Sequence, residues 1–267
     1  MSVRHDDSVL LERKGRVGWV TLNRPKAMNA VSPEMLLRLD AVLDEIACDT
    51  GIGAVVITGA GVAFCAGADL KSMQRFTEGA AAETANADYV ERYSATMRRL
   101  ELFPMPVIAA INGVTVAGGL ELLLCCDFAI AAAGARIGDG HMRYALMPGG
   151  GSSVRLPRRV GLTMAKYLLL SGDLVAVDEL VACGLVLRVV APDALHADAL
   201  ALAEKLAGRS PLALRRMKRL VDDGLEMPLD VALRHEVTTH AAHALSEDRR
   251  EGLAAFVEKR PPNFTGR

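Results

Sequence analysis

Strand signals that alternate with helix signals over the first two-thirds of the chain, followed by helix signals alone, predict an α/β fold with a helical tail. The alternation points to parallel pairing, because parallel strands need a crossover and a helix is its usual form. Length agrees: 267 residues allow one sizeable core and a smaller appended element. Composition agrees too, since 51% apolar and 24% charged residues make a globular chain and exclude disorder.

Residues 16–22 read as the first strand. Residues 32–48 read as a helix, with Ser32 as N-cap and Pro33 at the first helical position, where a missing N–H costs nothing. Residues 54–58 form a short β-branched apolar run, the mark of a buried strand. Residues 106–111 form another, and 128–132 and 185–190 give weaker ones. The small, polar stretch 79–87 has little periodicity and reads as a mobile loop. Past residue 192 the strand signals stop. Residues 194–207 are Ala/Leu-rich, Ser210-Pro211 opens a further helix, and 229–245 and 247–257 complete the tail. The expected division is a core at 1–191 and a helical subdomain at 192–267, without a linker long enough to make the second independent. No internal repeat or low-complexity tract is present.

Composition also narrows the partners. A net charge of −1 offers no basic excess for phosphates, so nucleic acid is not expected as a partner. The longest apolar stretches, 114–126 and 128–135, are interrupted by Gly118, Gly119, Glu121 and Asp127 and cannot span a bilayer. Residues 1–7 are charged and lack the apolar stretch of a secretory leader. The five cysteines are odd in number, lack CxxC spacing and include the adjacent pair Cys125 and Cys126, as expected of reduced thiols in a cytoplasmic protein.

Two segments carry the chemistry. In Phe64-Cys65-Ala66-Gly67-Ala68-Asp69-Leu70-Lys71, small residues follow a strand and lead into a helix. In Asn112-Gly113-Val114-Thr115-Val116-Ala117-Gly118-Gly119-Leu120-Glu121, a strand runs into a glycine pair and an apolar helix. Helix starts leave N–H groups without intrahelical partners, and small residues let a ligand approach them. Two such starts facing each other supply two donors to one oxygen, which is how an enolate or tetrahedral oxyanion is stabilised. Either turn alone is an ordinary strand-to-helix connection, and neither matches a P-loop or GxGxxG pattern.

Together with their surroundings the two turns are far more specific. The chain resembles the crotonase family, also called the enoyl-CoA hydratase/isomerase family, nearly end to end. The resemblance opens with Leu22-Asn23-Arg24-Pro25-Lys26-Ala27-Met28-Asn29-Ala30 and continues through Ala66-Gly67-Ala68-Asp69-Leu70-Lys71 and Gly118-Gly119-Leu120-Glu121. It runs on through Pro148-Gly149-Gly150-Gly151 and Arg155-Leu156-Pro157-Arg158-Arg159-Val160-Gly161, and closes with Glu251-Gly252-Leu253-Ala254-Ala255-Phe256-Val257-Glu258-Lys259-Arg260. It implies an α/β spiral of ββα turns with a helical C-terminal trimerisation region, assembled as a homotrimer or a dimer of trimers. It implies oxyanion donors at Ala68 and Gly118. Contacts to coenzyme A fall on Arg24, Lys26, Ala66, Leu70 and Lys71, and on Phe256 and Lys259 reaching a neighbouring subunit's ligand. No metal or redox cofactor is implied, because coenzyme A arrives as part of an acyl-CoA thioester of the fatty-acid type.

A hydratase of this family uses two glutamates that position one water, deliver hydroxide to C3 and supply a proton at C2. Glu121 matches the first, about one helical turn past Gly118. On an apolar helix, beside Leu120 and Leu122, a carboxylate needs a reason, and catalysis outweighs a salt bridge as that reason. At the second position this chain has His141. Imidazole can serve as acid or base near neutral pH; the bland reading is a pocket-lining histidine. The expected activity is therefore enoyl-CoA hydratase-like. The alternatives are a hydrolase, C–C bond-cleaving enzyme or isomerase using His141, and a non-catalytic acyl-CoA-binding protein. Other candidates fail. His235 and His240 stand five apart, one more than HExxH requires. Ser152 and Ser153 lack a G-x-S-x-G elbow. Cys65 reads as a small buried thiol more readily than as a nucleophile.

Overall fold

The computed structural model describes residues 7–73 and 80–267. Among the described residues, ten strands form two sheets. In the larger, β1 (Val9–Lys14), β2 (Val17–Leu22), β3 (Ala54–Gly59), β5 (Val107–Ile111), β7 (Phe128–Ala132) and β10 (Arg188–Val190) lie in that order. Only β1 is antiparallel to its neighbour. The smaller sheet is β4 (Ala63–Cys65), β6 (Val114–Val116), β8 (Arg136–Gly138) and β9 (Leu174–Ala176), with β4, β6 and β8 parallel and β9 antiparallel to β8.

The chain winds between the sheets. A strand of the large sheet is followed by a strand of the small sheet and then by helix, three times over: β3 and β4 before α2 (Leu70–Met73) and α3 (Ala80–Glu101), β5 and β6 before α4 (Gly118–Leu124), β7 and β8 before α5 (Ser152–Val160) and α6 (Leu162–Ser171). This is the expected spiral of ββα turns. Helix α7 (Val177–Ala182) and β10 close it.

The central strands are buried on both faces, which explains their continuous apolar runs. Val55, Ile57, Ala109, Ile111, Ala129 and Ala131 face one core, shared with α1 (Pro33–Cys48), α3 and the small sheet. Their alternates Val56, Ile108, Ala110, Ile130 and Ala132, with Val17 and Trp19, face α8 (Leu195–Ala207). That helix presents Leu195, Ala199, Ala203 and Ala207, one buried residue per turn, small enough for close approach to the sheet. In α1, Leu36, Leu39, Leu43 and Ile46 are buried at helical spacing, each contributing about 1.5–3 kcal/mol. The Ser32 hydroxyl accepts from the Met35 amide as its N-cap. The tail continues with α9 (Pro211–Gly224), α10 (Leu229–Ala244) and α11 (Glu247–Glu258), with Ser210 and Ser246 capping α9 and α11.

The structure overturns the loop expected at 79–87. Gly79 lies outside the described residues, but from Ala80 onward the stretch is the first part of the long helix α3. Alanine is the strongest helix former, and Tyr89, Tyr93, Met97 and Leu100 give the later turns a buried stripe that fixes the whole element. The six-residue edge strand β1 has no counterpart in the sequence reading, and neither do β4, β6, β8 and β9, whose three residues are too few to display a period.

Candidate active site

The small sheet assembles the site. Its parallel strands β4, β6 and β8 end on the same side, and the turn after each lines one cavity of about 200 Å³. The first turn brings Ala66 and Ala68, the second Ala117 and Gly118, the third Gly140 and His141. Glu121 of α4 and Tyr89, Val90 and Tyr93 of α3 complete the wall with the apolar side chains of Leu70, Leu146 and Met147.

Both amides expected to stabilise an oxyanion are left available by the backbone around them. Ala68 pairs with Val31 as an isolated parallel bridge. That bridge uses the Gly67 carbonyl, which accepts from Val31 N–H, and the Asp69 N–H, which donates to Val31. Successive N–H groups of an extended segment point to opposite sides, so the Ala68 amide points away from Val31. Gly118 is the first residue of α4, and its amide has no intrahelical acceptor. The two turns touch: a Cβ on Gly67, whose φ is +92°, would sit 3.0 Å from the Gly118 nitrogen. Gly119 allows the same closeness one residue on, where a Cβ would meet the Cys65 carbonyl oxygen at 2.1 Å. Ala117 carries a φ of 52° and ψ of −118°, a conformation costly for a residue with a Cβ.

Glu121 is 2% exposed. Its Oε1 accepts from the Gly150 amide at 2.7 Å and the Ser152 amide at 3.3 Å, while Oε2 has no hydrogen-bond partner among the described residues. Burial is the strongest influence on this carboxyl and pushes it up. The Ser152 and Gly150 amides and the charge of His141 pull it back without cancelling the rise.

His141 stands in a short 3-10 turn, His141–Tyr144, after β8. Its Nδ1 lies 2.9 Å from Asp139 Oδ1, and Asp139 Oδ2 accepts from the Ser152 hydroxyl at 2.7 Å. Burial pulls the ring's titration down, but the Asp139 hydrogen bond and the charges of Asp139 and Glu121 outweigh it, so His141 titrates above the ordinary histidine value. The charge of each favours the ionised form of the other, His141 drawing the Glu121 titration down and Glu121 drawing that of His141 up.

The remaining residues carried over from the resemblance lie farther out. Ala66 and Leu70 line the cavity; Lys26 and Lys71 are exposed and do not line it. The Arg24 guanidinium donates to Asp69 Oδ2 at 2.8 Å and to the Ala30 carbonyl, bracing the first oxyanion turn. Burial alone would push Asp69 up, but Arg24 and Ser72 hold its carboxyl below the usual range. Phe256 and Lys259 sit on and just after α11, both exposed, and neither lines the cavity. Burial pushes the Cys65 thiol up to about 12, so it stays protonated at neutral pH. Among the described residues no group of three His, Cys, Asp or Glu side chains could hold a metal ion, and no helix is long and apolar enough to cross a membrane.

Four contributors have no assigned role in the sequence reading. The Tyr93 hydroxyl donates to the Gly118 carbonyl at 2.6 Å, and Tyr89 donates to the Val31 carbonyl at 2.8 Å. One helix face thus braces both turns. Asn29, fully buried, donates from Nδ2 to the Ala60 and Ala63 carbonyls and pins the opening motif beside β4. The fourth is Asp139, two residues before His141.

A spiral of ββα turns gathers two amides and a buried carboxylate around one apolar cavity, an arrangement able to stabilise an oxyanion. The chain belongs to the enoyl-CoA hydratase/isomerase family, whose model matches residues 12–267. A probable enoyl-CoA hydratase of Rhizobium meliloti is 40% identical over 265 residues, 98% of this chain and 99% of that protein. The short-chain-enoyl-CoA hydratase of Clostridium acetobutylicum is 37% identical over 95% of this chain and 96% of its own length. Among solved structures, an enoyl-CoA hydratase from Bacillus anthracis superposes with a TM-score of 0.92 at 37% identity, covering 97% of this chain and all of that one.

Proposed function

We propose that this enzyme adds water across the C2–C3 double bond of a 2-enoyl-CoA. The observation that carries the reading is the placing of Glu121. One carboxylate oxygen is locked by two amides, the other is left for a water, and the residue sits one helical turn beyond the unpaired Gly118 amide in the same cavity. In this reading the thioester oxygen accepts from Ala68 and Gly118, which stabilise the enolate as charge develops. Glu121, more basic than an ordinary carboxylate, takes a proton from the water as hydroxide reaches C3. The His141 imidazolium gives its Nε2 proton to C2. Coenzyme A enters with the substrate, held along Arg24, Lys26, Ala66, Leu70 and Lys71. The chain's own residues carry the chemistry, without a metal or redox group. The exposed apolar residues of the C-terminal helices support a homotrimer or a dimer of trimers, in which Phe256 and Lys259 approach a neighbour's ligand. Five unpaired cysteines support a cytoplasmic setting.

The Asp139–His141 pair favours a second reading, in which a carboxylate-oriented imidazole activates water against a carbonyl. One experiment separates them: a panel of CoA thioesters followed by mass spectrometry. Hydration gives products heavier by one water from crotonyl-CoA and its homologues. Cleavage of a β-keto thioester into two fragments, with enoyl-CoA untouched, would replace the hydratase reading.

A further inference from the structure

Two carboxylates flank one imidazole in this site, and a single serine joins them. The Ser152 hydroxyl donates to Asp139 Oδ2 at 2.7 Å, and its amide donates to Glu121 Oε1 at 3.3 Å. Asp139 is 1% exposed and Ser152 fully buried. Asp139 Oδ1 also accepts from the His141 backbone amide at 3.3 Å, which closes the turn and aims the carboxylate at the ring it follows in sequence. A carboxylate this deep is tolerated only because its lone pairs are matched. Since Nδ1 is committed to Asp139, Nε2 is the nitrogen left to exchange a proton in the cavity.

We infer that Asp139 is a positioning residue that orients the His141 ring and turns its Nε2 to the substrate, with Ser152 fixing Asp139 and Glu121 at a constant separation. This rests on the hydratase reading for the use made of the proton. In a two-glutamate site the acid is its own proton store. Here the acid is an imidazolium, and a third residue, Asp139, favours its charged form. The other charged groups around the turn are engaged elsewhere or lie on the next helix. Arg143 donates to Asp173, which also accepts from the Tyr167 hydroxyl of α6. Lys166 is on that same helix, packed against the turn. Arg155 of α5 is held by Glu101 and the Gly150 carbonyl. Glu121 is the remaining charge that acts on the ring.

The test is Asp139→Asn, which keeps an oxygen for the His141 amide and Nδ1–H while removing the charge. Ring titration by NMR, with the His141 signal assigned by its loss in His141→Gln, reads the effect without any substrate. Wild-type His141 is expected to titrate above about 6.5, and the variant at or below it, because burial then dominates. The kcat for crotonyl-CoA hydration should fall about 10²-fold or more, with KM changed little and the alkaline limb of the pH profile moved to lower pH. A wild-type ring that titrates at or below the ordinary value overturns the inference without any variant. So does an Asp139→Asn enzyme with wild-type titration and kcat. If the wild type hydrates no enoyl-CoA, the hydratase reading falls, while the ring titration still decides what Asp139 does.

Discussion

At the scale of single residues, Gly118 offers the cleanest test of the oxyanion arrangement. Proline fits the first helical position, where its fixed φ is already suitable, yet it removes the N–H. A Cβ at Gly118 meets the Tyr93 hydroxyl at 2.8 Å, so Gly118→Ala is the control: it brings the same crowding with the amide intact. Gly118→Pro should lose about 10²–10³-fold in kcat beyond Gly118→Ala, the usual value of one such donor. Equal kinetics in the two variants would remove Gly118 from that role. Glu121 yields a stability test as well as a kinetic one. Its folded-state titration lies above the unfolded value, so its contribution to stability is present at low pH and is lost as pH rises through the folded pKa. Glu121→Gln should therefore melt at a higher temperature than wild type at pH 8, with the difference shrinking toward pH 4, while activity drops about 10²–10⁴-fold. A difference in melting temperature that does not vary with pH would mean the carboxylate is not strained by burial. His141→Glu alone should fail to build a two-glutamate hydratase, because the new carboxylate would stand beside Asp139, and two carboxylates this close must share a proton. Pairing it with Asp139→Asn should raise crotonyl-CoA hydration above that of His141→Glu. No gain in the double variant would mean that charge crowding is not the obstacle.

At the scale of elements, α3 is a brace as well as a wall. Tyr93→Phe leaves the buried Gly118 carbonyl without its hydroxyl donor, which should cost about 1–3 kcal/mol of stability. It should also lower kcat more than it raises KM, since the neighbouring amide loses its aim. Denaturant melts and steady-state kinetics check both, and an unchanged kcat would confine Tyr93 to packing. This helix also shows where sequence reading stops. Residues 80–87 are alanine-rich and short of large apolar groups, so they read as a loop. Their helicity is imposed by Tyr89, Tyr93, Met97 and Leu100 farther along, packed against a sheet distant in sequence. Glu121 is legible because a carboxylate in a leucine run is anomalous on its face. The turns around Ala68 and Gly118 are legible because small residues cluster at helix starts. Asp139 is not, because an aspartate between Gly138 and Gly140 looks like a turn residue until the ring of His141 is placed against it.

At the scale of the molecule, the C-terminal helices leave apolar surface uncovered in a single chain: Phe256 is 84% exposed, Val257 78% and Leu245 82%. Solvent-facing clusters of this kind are suited to contact with another protein surface, and the proposed trimer would use this one. The end of the chain is nevertheless well tied down within its own subunit. Asp248 accepts from the Ser210 hydroxyl and from the Thr265 and Gly266 amides, and its own amide donates to the Arg267 carbonyl. Phe256→Asp should therefore break the assembly without unfolding the subunit. Light scattering would show monomers with an unaltered circular dichroism spectrum. A variant that keeps the wild-type mass would place the contact elsewhere.

The three windings of the spiral have a consequence for how this chemistry can change. The first carries one amide, the second carries the other amide and Glu121, and the third carries His141 with its aspartate. Each ingredient is thus stored at a separate address along the chain, on its own strand end. In the proposed reaction, grip on the carbonyl belongs to the first two windings and the fate of the proton to the third. A change of a few residues after β8 would then redirect the proton and leave both amides in place, so the histidine of the third winding alters one ingredient without disturbing the others.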